Sequence, residues 1–436
     1  MGQYPITAGV FGKAMRAVGK TGTPDGKPAW VFENQTGDLG TLLNSSLIWC
    51  GVNGAIEVIP SGTSLGSVST LSKLNAGTGY SALANLPTTC SNNMAQGLTL
   101  TITETGFVID KNSPIDYNSG MVFGTGTSGI EKFREAIYKL DDQKVKRLGS
   151  TVVVQTMASG ISAYLGGILG MGNQVTTNSS ACTTGTEALL MGFERVQAGK
   201  ARRMLVGSCS DDGAYIWGGF DAMRVMTYKH NETPEKGSRP MSADASGFVP
   251  GSGAGALVLE SIESALERKA TIYAEVLGGN INSGGQRNGG TMTAPNSEAV
   301  QKCIVDAMKD ANVTGSDIDA INGHLTATTK DPLEIDNWTK ALERKGKEFP
   351  IINSLKSMVG HCLAAAGAIE NVATVLQLKH QFIFPNINCN EVHQDILNLI
   401  SKEKIPTKLL RKKLNIIAKA SFGFGDVNGC IIFKRY

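Results

Sequence analysis

The chain has 436 residues, 41% of them hydrophobic, and a formal net charge of +3, which is apolar material for one or two cores and too little charge for nucleic-acid binding by bulk electrostatics. Its 8 cysteines fall at irregular spacing with no CxxC pair and no secretory signal ahead of them, so they read as reduced thiols of a cytoplasmic protein. No apolar run approaches the roughly 18 residues of a membrane span, and Ile6 stands where N-myristoylation wants Ser or Thr.

The 52 glycines exceed the average usage of roughly 7% and suit an α/β protein with many tight turns. Over the first ~115 residues little helical periodicity is legible. Pro5 to Gly19 fits an opening strand and turn, and 98–109 alternates like a strand. The Ser/Thr/Asn/Gly-rich stretch 37–110 reads as loops and β structure. A β-branched stretch, Gln174 to Thr177, then gives way to a helical pattern in which Ala188, Leu189, Phe193 and Val196 recur and Gly199 is the C-cap. Cys182, in Ser179-Ser180-Ala181-Cys182-Thr183-Thr184-Gly185, lies at or just before the N-terminus of that helix. There the free N–H groups and the dipole favour thiolate, the form that attacks carbonyls. A cysteine among small residues is either a compact core hydrophobe or a nucleophile, and this motif alone leaves both open.

Strands are expected over Ala201 to Ser208, Gly253 to Leu259, Thr271 to Leu277 and Ile318 to Asn322. Helices are expected over Ser261 to Arg268, Ser297 to Ala311 and Ala364 to His380. The alternation argues for a layered α/β architecture with parallel or mixed sheets. No linker divides the chain by composition, and no internal repeat is legible.

Four motifs follow one another: the Cys182 turn, Asn322-Gly323-His324, Asn353-Ser354-Leu355-Lys356-Ser357-Met358-Val359-Gly360-His361, and Ser421-Phe422-Gly423-Phe424-Gly425. Gly124-Thr125-Gly126-Thr127-Ser128-Gly129, Arg239-Pro240 and Asp244 to Phe248 extend the series. In this order the sequence resembles the β-ketoacyl-acyl-carrier-protein synthases of types I and II, over roughly three quarters of the chain. The resemblance implies a thiolase-like fold, five αβαβα layers in two pseudo-duplicated halves. The halves would be 1–260 with the nucleophilic cysteine, of which 1–115 matches the family poorly, and 261–436 with the remaining motifs.

What the resemblance implies for the site is specific. Cys182 takes the acyl chain, activated by its helix position without a tightly paired base. His324 and His361, two of only five histidines in the chain, donate N–H groups in neutral form to the malonyl thioester oxygen as CO2 leaves. Lys356 sets the electrostatics near the first histidine. A buried cation needs a partner, and Glu334, matching the family's nearby acid, is the natural one. Phe424 gates the site and its backbone N–H joins that of Cys182 in an oxyanion hole, while Phe248 lies beside the malonyl carboxylate. Thr127 matches the floor of the acyl pocket, near a dimer interface. No cofactor or metal is implied. The implied partner is acyl carrier protein, an acidic protein, docking on Lys144, Lys146, Arg147 and Arg224. A homodimer, or a heterodimer, is implied as the assembly.

Three departures from the family stand out. Leu325 replaces a Gly, with Asp331 following His324 one residue sooner than usual. Asp426 replaces the second Gly of Gly-Phe-Gly-Gly, and Ser252 stands where an acid is frequent. These bear on substrate more than on reaction type, and suit a synthase of polyenes, polyketides or unusual lipids as well as one of ordinary fatty acids. Competing readings are a non-catalytic chain-length partner of a heterodimeric synthase, which typically lacks the nucleophile, and a thiolase. The second needs another catalytic cysteine, a role that Cys362 and Cys430 fit poorly.

Overall fold

Arg203–Ser210 is a near-continuous apolar run with Met204, Leu205 and Val206 buried, as a strand covered on both faces requires. In this computed structural model, which describes residues 112–436 and, before them, only the backbone of strands such as Pro5–Thr7, that run lies inside a long mixed sheet. It pairs in parallel with Ser119–Thr125, which pairs in parallel with Val175–Thr176. On its other side it pairs antiparallel with Gly251–Glu260, and that strand pairs antiparallel with Pro5–Thr7.

The second part of the chain repeats this order. Ile416–Gly423 pairs in parallel with Ala320–Asn322, which pairs in parallel with Ile351–Asn353. Its other neighbour, Val427–Arg435, is antiparallel and pairs antiparallel with Ala274–Ser283. The two sets of strands meet where Pro5–Thr7 pairs with Ala274–Ser283.

Parallel neighbours need crossovers. In the first set the crossover carries helix Thr184–Gln197, in the second helix Ala366–His380. These two helices touch each other and strands of both sets, forming a central layer. Strand alternation sends side chains to opposite faces. Val122 and Val206 meet Leu189 and Phe193 of the central layer, whereas Met121, Phe123 and Leu205 meet Ile161 and Leu165 of the outer helix Gly160–Ile168. Similarly, Ala320, Ile417 and Ile431 face inward, and Ile321, Ala418 and Ile432 face the outer helices Ser297–Asp310 and Asp331–Leu342. Outer helices, strands, central helices, strands and outer helices make the thiolase-like α/β fold.

Crossing is tightest at Gly185 and Gly367. A Cβ on Gly185 would lie 2.2 Å from Ala368 N, and one on Gly367 would lie 2.7 Å from Thr186 N.

Element bounds differ modestly from expectation. The strand expected to begin at Thr271 begins at Ala274 and runs to Ser283, because pairing with Val427–Arg435 extends it past the apolar run. Ser261, expected as the first residue of a helix, is instead its N-cap and accepts from Ser264 N–H at 3.3 Å; the helix is Ile262–Glu267. The expectations over 37–110 and the strand at 98–109 fall largely outside the described residues. Among the described residues no helix is long and apolar enough to cross a membrane.

Candidate active site

Cys182 occupies a single 3-10 turn, Ala181–Thr183, between strand Val175–Thr176 and helix Thr184–Gln197. The turn is sharp because Ala181 adopts φ +50°, a left-handed conformation that costs a non-glycine residue about 1 kcal/mol or more. Surrounding hydrogen bonds hold it there. Glu187 accepts from Asn178 Nδ2 and Ser180 Oγ, each at 2.8 Å, and Thr184 Oγ1 donates to Ala181 C=O at 2.6 Å.

His361 Nε2 lies 3.1 Å from Cys182 Sγ. Leu363 N–H donates to His361 Nδ1 at 3.2 Å, so the proton of the neutral ring sits on Nε2 and points at the sulfur. His324 meets His361 edge-on, with ring centroids 5.5 Å apart. Burial, then Lys356, hold both rings well below the ordinary histidine range, so both are neutral N–H donors at pH 7. His324 Nδ1 is buried without a hydrogen-bond partner among the described residues.

Burial also pushes the Cys182 thiol up, to about 11, against the pull of Lys356 and of the Phe424 and Cys182 backbone N–H groups. Burial therefore opposes the pull that a helix N-terminus exerts on Cys182, a residue half-buried in the single chain. The N–H groups of Phe424, Cys182 and His361 surround the sulfur with donors, so its anion is stabilised at the moment it forms.

The expected Lys356–Glu334 pair is not found. Lys356, 2% exposed, pairs instead with Glu370, in the second turn of helix Ala366–His380, which follows His361 in the chain. Glu370 also meets a second buried lysine, Lys419, at 3.1 Å. Glu334 is occupied elsewhere: its carboxylate accepts from His324 N–H and Leu325 N–H, each at 2.7 Å, and from Trp338 Nε1 at 3.4 Å. Its task is to hold the loop that carries His324, and burial pushes its carboxyl up to about 7. Glu370 and Lys419 escaped the sequence reading because each sits in an apolar run, Ala366 to Val375 and Ile416 to Ala420, where charge is the anomaly that signals a buried pair.

Aromatic residues close one side. Phe248 packs edge-on against His361 at 5.1 Å and against Phe220 at 5.5 Å, and Phe220 lies 6.2 Å from Phe424. Phe248 and Phe424 are thus both brought to the site, joined by Phe220, which the sequence did not single out. Thr127 is exposed in the single chain. Lys144, Lys146, Arg147 and Arg224 are all exposed. Arg134 stacks 4.9 Å over Tyr215 and so ties helix Ile130–Asp141, which leads to the first three, to helix Ala214–Ala222, which leads to Arg224.

The departures from the family pattern are absorbed locally. Leu325 is fully buried and the left-handed residue of its loop is Ala327, with φ +62°. Asp331 fixes that loop by accepting from Thr326 N–H at 2.9 Å, Ala327 N–H at 3.1 Å and Met241 N–H at 2.8 Å. Asp426 takes φ +63° and buries its carboxylate on Asn296 N–H at 2.8 Å and Gln286 N–H at 3.0 Å, so its charge does not face the gate. Ser252 is buried in strand Gly251–Glu260.

Ligand atoms of Cys182, His324 and His361 lie within 4.8 Å of one another, close enough to share one ion. Lys356 and Lys419 nearby oppose a divalent cation and favour an anion. The arrangement can place an oxyanion between two histidine N–H groups and an acyl group on the sulfur. Cys362 and Cys430, the alternative second thiols, are buried in the core clusters.

Similarity to known proteins extends over both parts of the chain. Residues 101–265 match the family described as beta-ketoacyl synthase, N-terminal domain, and residues 273–390 match beta-ketoacyl synthase, C-terminal domain. The chain is 35% identical to 3-oxoacyl-[acyl-carrier-protein] synthase 1 of Haemophilus influenzae, covering 73% of this chain and 76% of that protein. It is 32% identical to the corresponding synthase 1 of Escherichia coli K12, over 72% and 75%. A beta-ketoacyl synthase from Burkholderia phymatum superposes with a TM-score of 0.69 at 29% identity, covering 76% of this chain and 78% of that one. A type II polyketide ketosynthase solved with its acyl-carrier protein gives a TM-score of 0.66 at 27% identity, over 73% and 78%. By sequence and by fold, the chain belongs to the β-ketoacyl synthase family.

Proposed function

We propose that the protein is a 3-oxoacyl-acyl-carrier-protein synthase catalysing decarboxylative condensation. The observation that carries this reading is the 3.1 Å approach of His361 Nε2 to Cys182 Sγ, with a second neutral histidine edge-on to the first. The Cys182 thiol gives up its proton as its sulfur attacks the acyl thioester carbonyl; a C–S bond to Cys182 forms, the C–S bond to the carrier breaks, and the carrier sulfur leaves with that proton as a thiol. The malonyl thioester then loses CO2, and the electron pair of the broken C–C bond moves into an enolate held between His324 and His361. Its carbon attacks the acyl-Cys182 carbonyl, forming a C–C bond and releasing the Cys182 thiolate. Phe248, against His361, presents an apolar ring to the malonyl carboxylate and disfavours its retention. Phe424 gates access.

Acyl carrier protein, the acidic carrier named for the relatives, docks on Lys144, Lys146, Arg147 and Arg224, which the Arg134–Tyr215 stack holds to adjoining helices. The active assembly is a dimer in the cytosol. Val175–Thr176 ends the described sheet as an edge strand, flanked by exposed Ile115, Tyr117, Val153 and Tyr164, the last 72% exposed, a surface unfavourable to leave in water. A second copy or a related subunit covers it and encloses Thr127 as the pocket floor. The halves 1–260 and 261–436 each supply part of the site.

The test is incubation with acyl- and malonyl-carrier protein and mass detection of the 3-oxoacyl product. Failure of every acyl primer, with cerulenin leaving Cys182 unmodified, overturns the reading.

A further inference from the structure

Lys419 is a charge that the fold does not require. It is the fourth residue of the eight-residue strand Ile416–Gly423, and the fourth residue of the equivalent eight-residue strand Arg203–Ser210 is Val206. Both are buried, one as a cation and the other as a hydrocarbon. An apolar side chain fills the position in one set of strands, so the ammonium in the other has a reason beyond packing.

Its surroundings indicate what the charge does. Lys419 Nζ donates to Thr186 Oγ1 at 2.8 Å and to Ser421 Oγ, and lies 3.1 Å from Glu370 Oε2. Thr186 stands in the first turn of the Cys182 helix, Ser421 opens the Phe424 gate segment, and Glu370 is on the helix that follows His361. Three segments that carry site residues are thereby tied to one ammonium. Glu370's other oxygen holds Lys356, so a single carboxylate serves two buried lysines. With both lysines protonated the cluster carries one positive charge in excess, which in a buried setting is costly until an anion completes it.

We propose that Lys419 is a positioning residue of the condensation: it supplies the excess positive charge that a thiolate on Cys182, or an enolate between His324 and His361, completes. This rests on the reading of the site as one that decarboxylates a malonyl thioester. The charged and titratable groups around Lys419 are Glu370 and Lys356, Cys430 on the neighbouring strand with Cys303 behind it, and the two histidines, whose protonation Lys419 opposes. Burial pulls Lys419 down to about 8, Glu370 pulling the other way and Lys356 adding to the fall. The excess charge is therefore present below about pH 8 and lost above it.

Decarboxylation of malonyl-carrier protein by a Cys182→Gln variant, in which that thiol no longer titrates, gives the profile directly. Its rate should fall roughly tenfold on the alkaline side of the Lys419 transition, a smaller change than loss of a direct oxyanion donor. Adding Lys419→Met should lower the neutral-pH rate by a similar factor and abolish that limb. In the otherwise unchanged protein, Lys419→Met should slow alkylation of Cys182 by iodoacetamide, followed by peptide mass mapping. A flat profile in Cys182→Gln, or an alkaline limb and alkylation rate that survive Lys419→Met, overturns the proposal. Should Lys419→Met not fold, the profile of Cys182→Gln alone decides. If Cys182→Gln releases no CO2 at any pH the functional reading fails, and the alkylation rates still decide the role of Lys419.

Discussion

Two stretches of this chain are built alike and used differently. Ala181–Thr183 and Leu363–Ala365 are each a single 3-10 turn running straight into a central helix, Thr184–Gln197 and Ala366–His380. Each turn begins with a left-handed non-glycine residue, Ala181 at φ +50° and Leu363 at φ +51°. Each helix has its glycine at the second position, Gly185 and Gly367, where the other helix passes. The residue after the left-handed one is Cys182 in the first and Ala364 in the second. The second turn contributes through what precedes it, His361, whose Nδ1 takes the N–H of Leu363. A pseudo-symmetric scaffold thus brings a thiol from one side and an imidazole from the other to within 3.1 Å, which no single turn could do.

The largest way to break this comparison is to make the turns alike. Cys182→Ala, which copies Ala364, should abolish condensation with the fold intact by circular dichroism, while Cys182→Gln should keep CO2 release because the histidines alone hold the enolate. Loss of CO2 release in a folded Cys182→Gln protein would count against that division of roles. Next in size, His324→Ala or His361→Ala should each lower malonyl decarboxylation by roughly 10²-fold or more; near-normal release from either would remove that histidine from the mechanism. The crossing of the two helices can be probed by thermal unfolding. Gly185→Ala sets a Cβ at 2.2 Å from backbone and Gly367→Ala one at 2.7 Å, so both should destabilise by about 1–3 kcal/mol or more, Gly185→Ala the more severely.

Smaller effects sharpen the difference between the two acids near the histidines. Burial raises the Glu334 carboxyl to about 7, above its unfolded value of about 4.5. A carboxyl raised in the folded state binds more protons there, so its contribution to stability is fully present below the unfolded value and lost as pH rises towards the folded one. Melting temperature should therefore fall with rising pH across that window more steeply in the unaltered protein than in Glu334→Gln. An identical slope would mean that Glu334 is ionised throughout. The smallest effect lies at the surface. Lys146→Glu and Arg224→Glu should weaken carrier-protein substrates a few-fold at low salt and less at high salt, leaving small thioesters unchanged. Equal losses on both substrates would place the damage in the site.

Much of the site was legible because its chemistry is local. Cys182 sits between a β-branched stretch and a helical pattern, and the His324, Lys356–His361 and Phe424 motifs are contiguous segments, so the resemblance to the β-ketoacyl synthases could be carried residue by residue. Four strands and three helices of 201–380 followed from periodicity, with bounds moved by pairing partners that lie far away in sequence, whereas helices Ala214–Ala222 and Asp331–Leu342 and strand Ile351–Asn353 did not. Three things were not legible. The internal repeat was hidden because the two turns share backbone conformation, small residues and one glycine, a likeness too weak to see without the superposed strand order. The partner of Lys356 was misassigned because Glu334 and Glu370 are both acids at reachable separations, and only tertiary packing sent one to the backbone of the His324 loop and the other to the lysine. Lys419 was not singled out, because its sequence neighbours Ile416 to Ala420 are otherwise apolar and its partners come from other segments.

The sequence by itself therefore determined which groups this protein can bring to a reaction, and at which helix and strand ends they stand, because propensity and patterning act over a few residues. Only the tertiary structure decided the state in which those groups meet. Enclosure raises the Cys182 thiol to about 11 and lowers both histidines, and one carboxylate is divided between two lysines. Desolvation and Coulomb interaction depend on distance through space, which residue order does not specify.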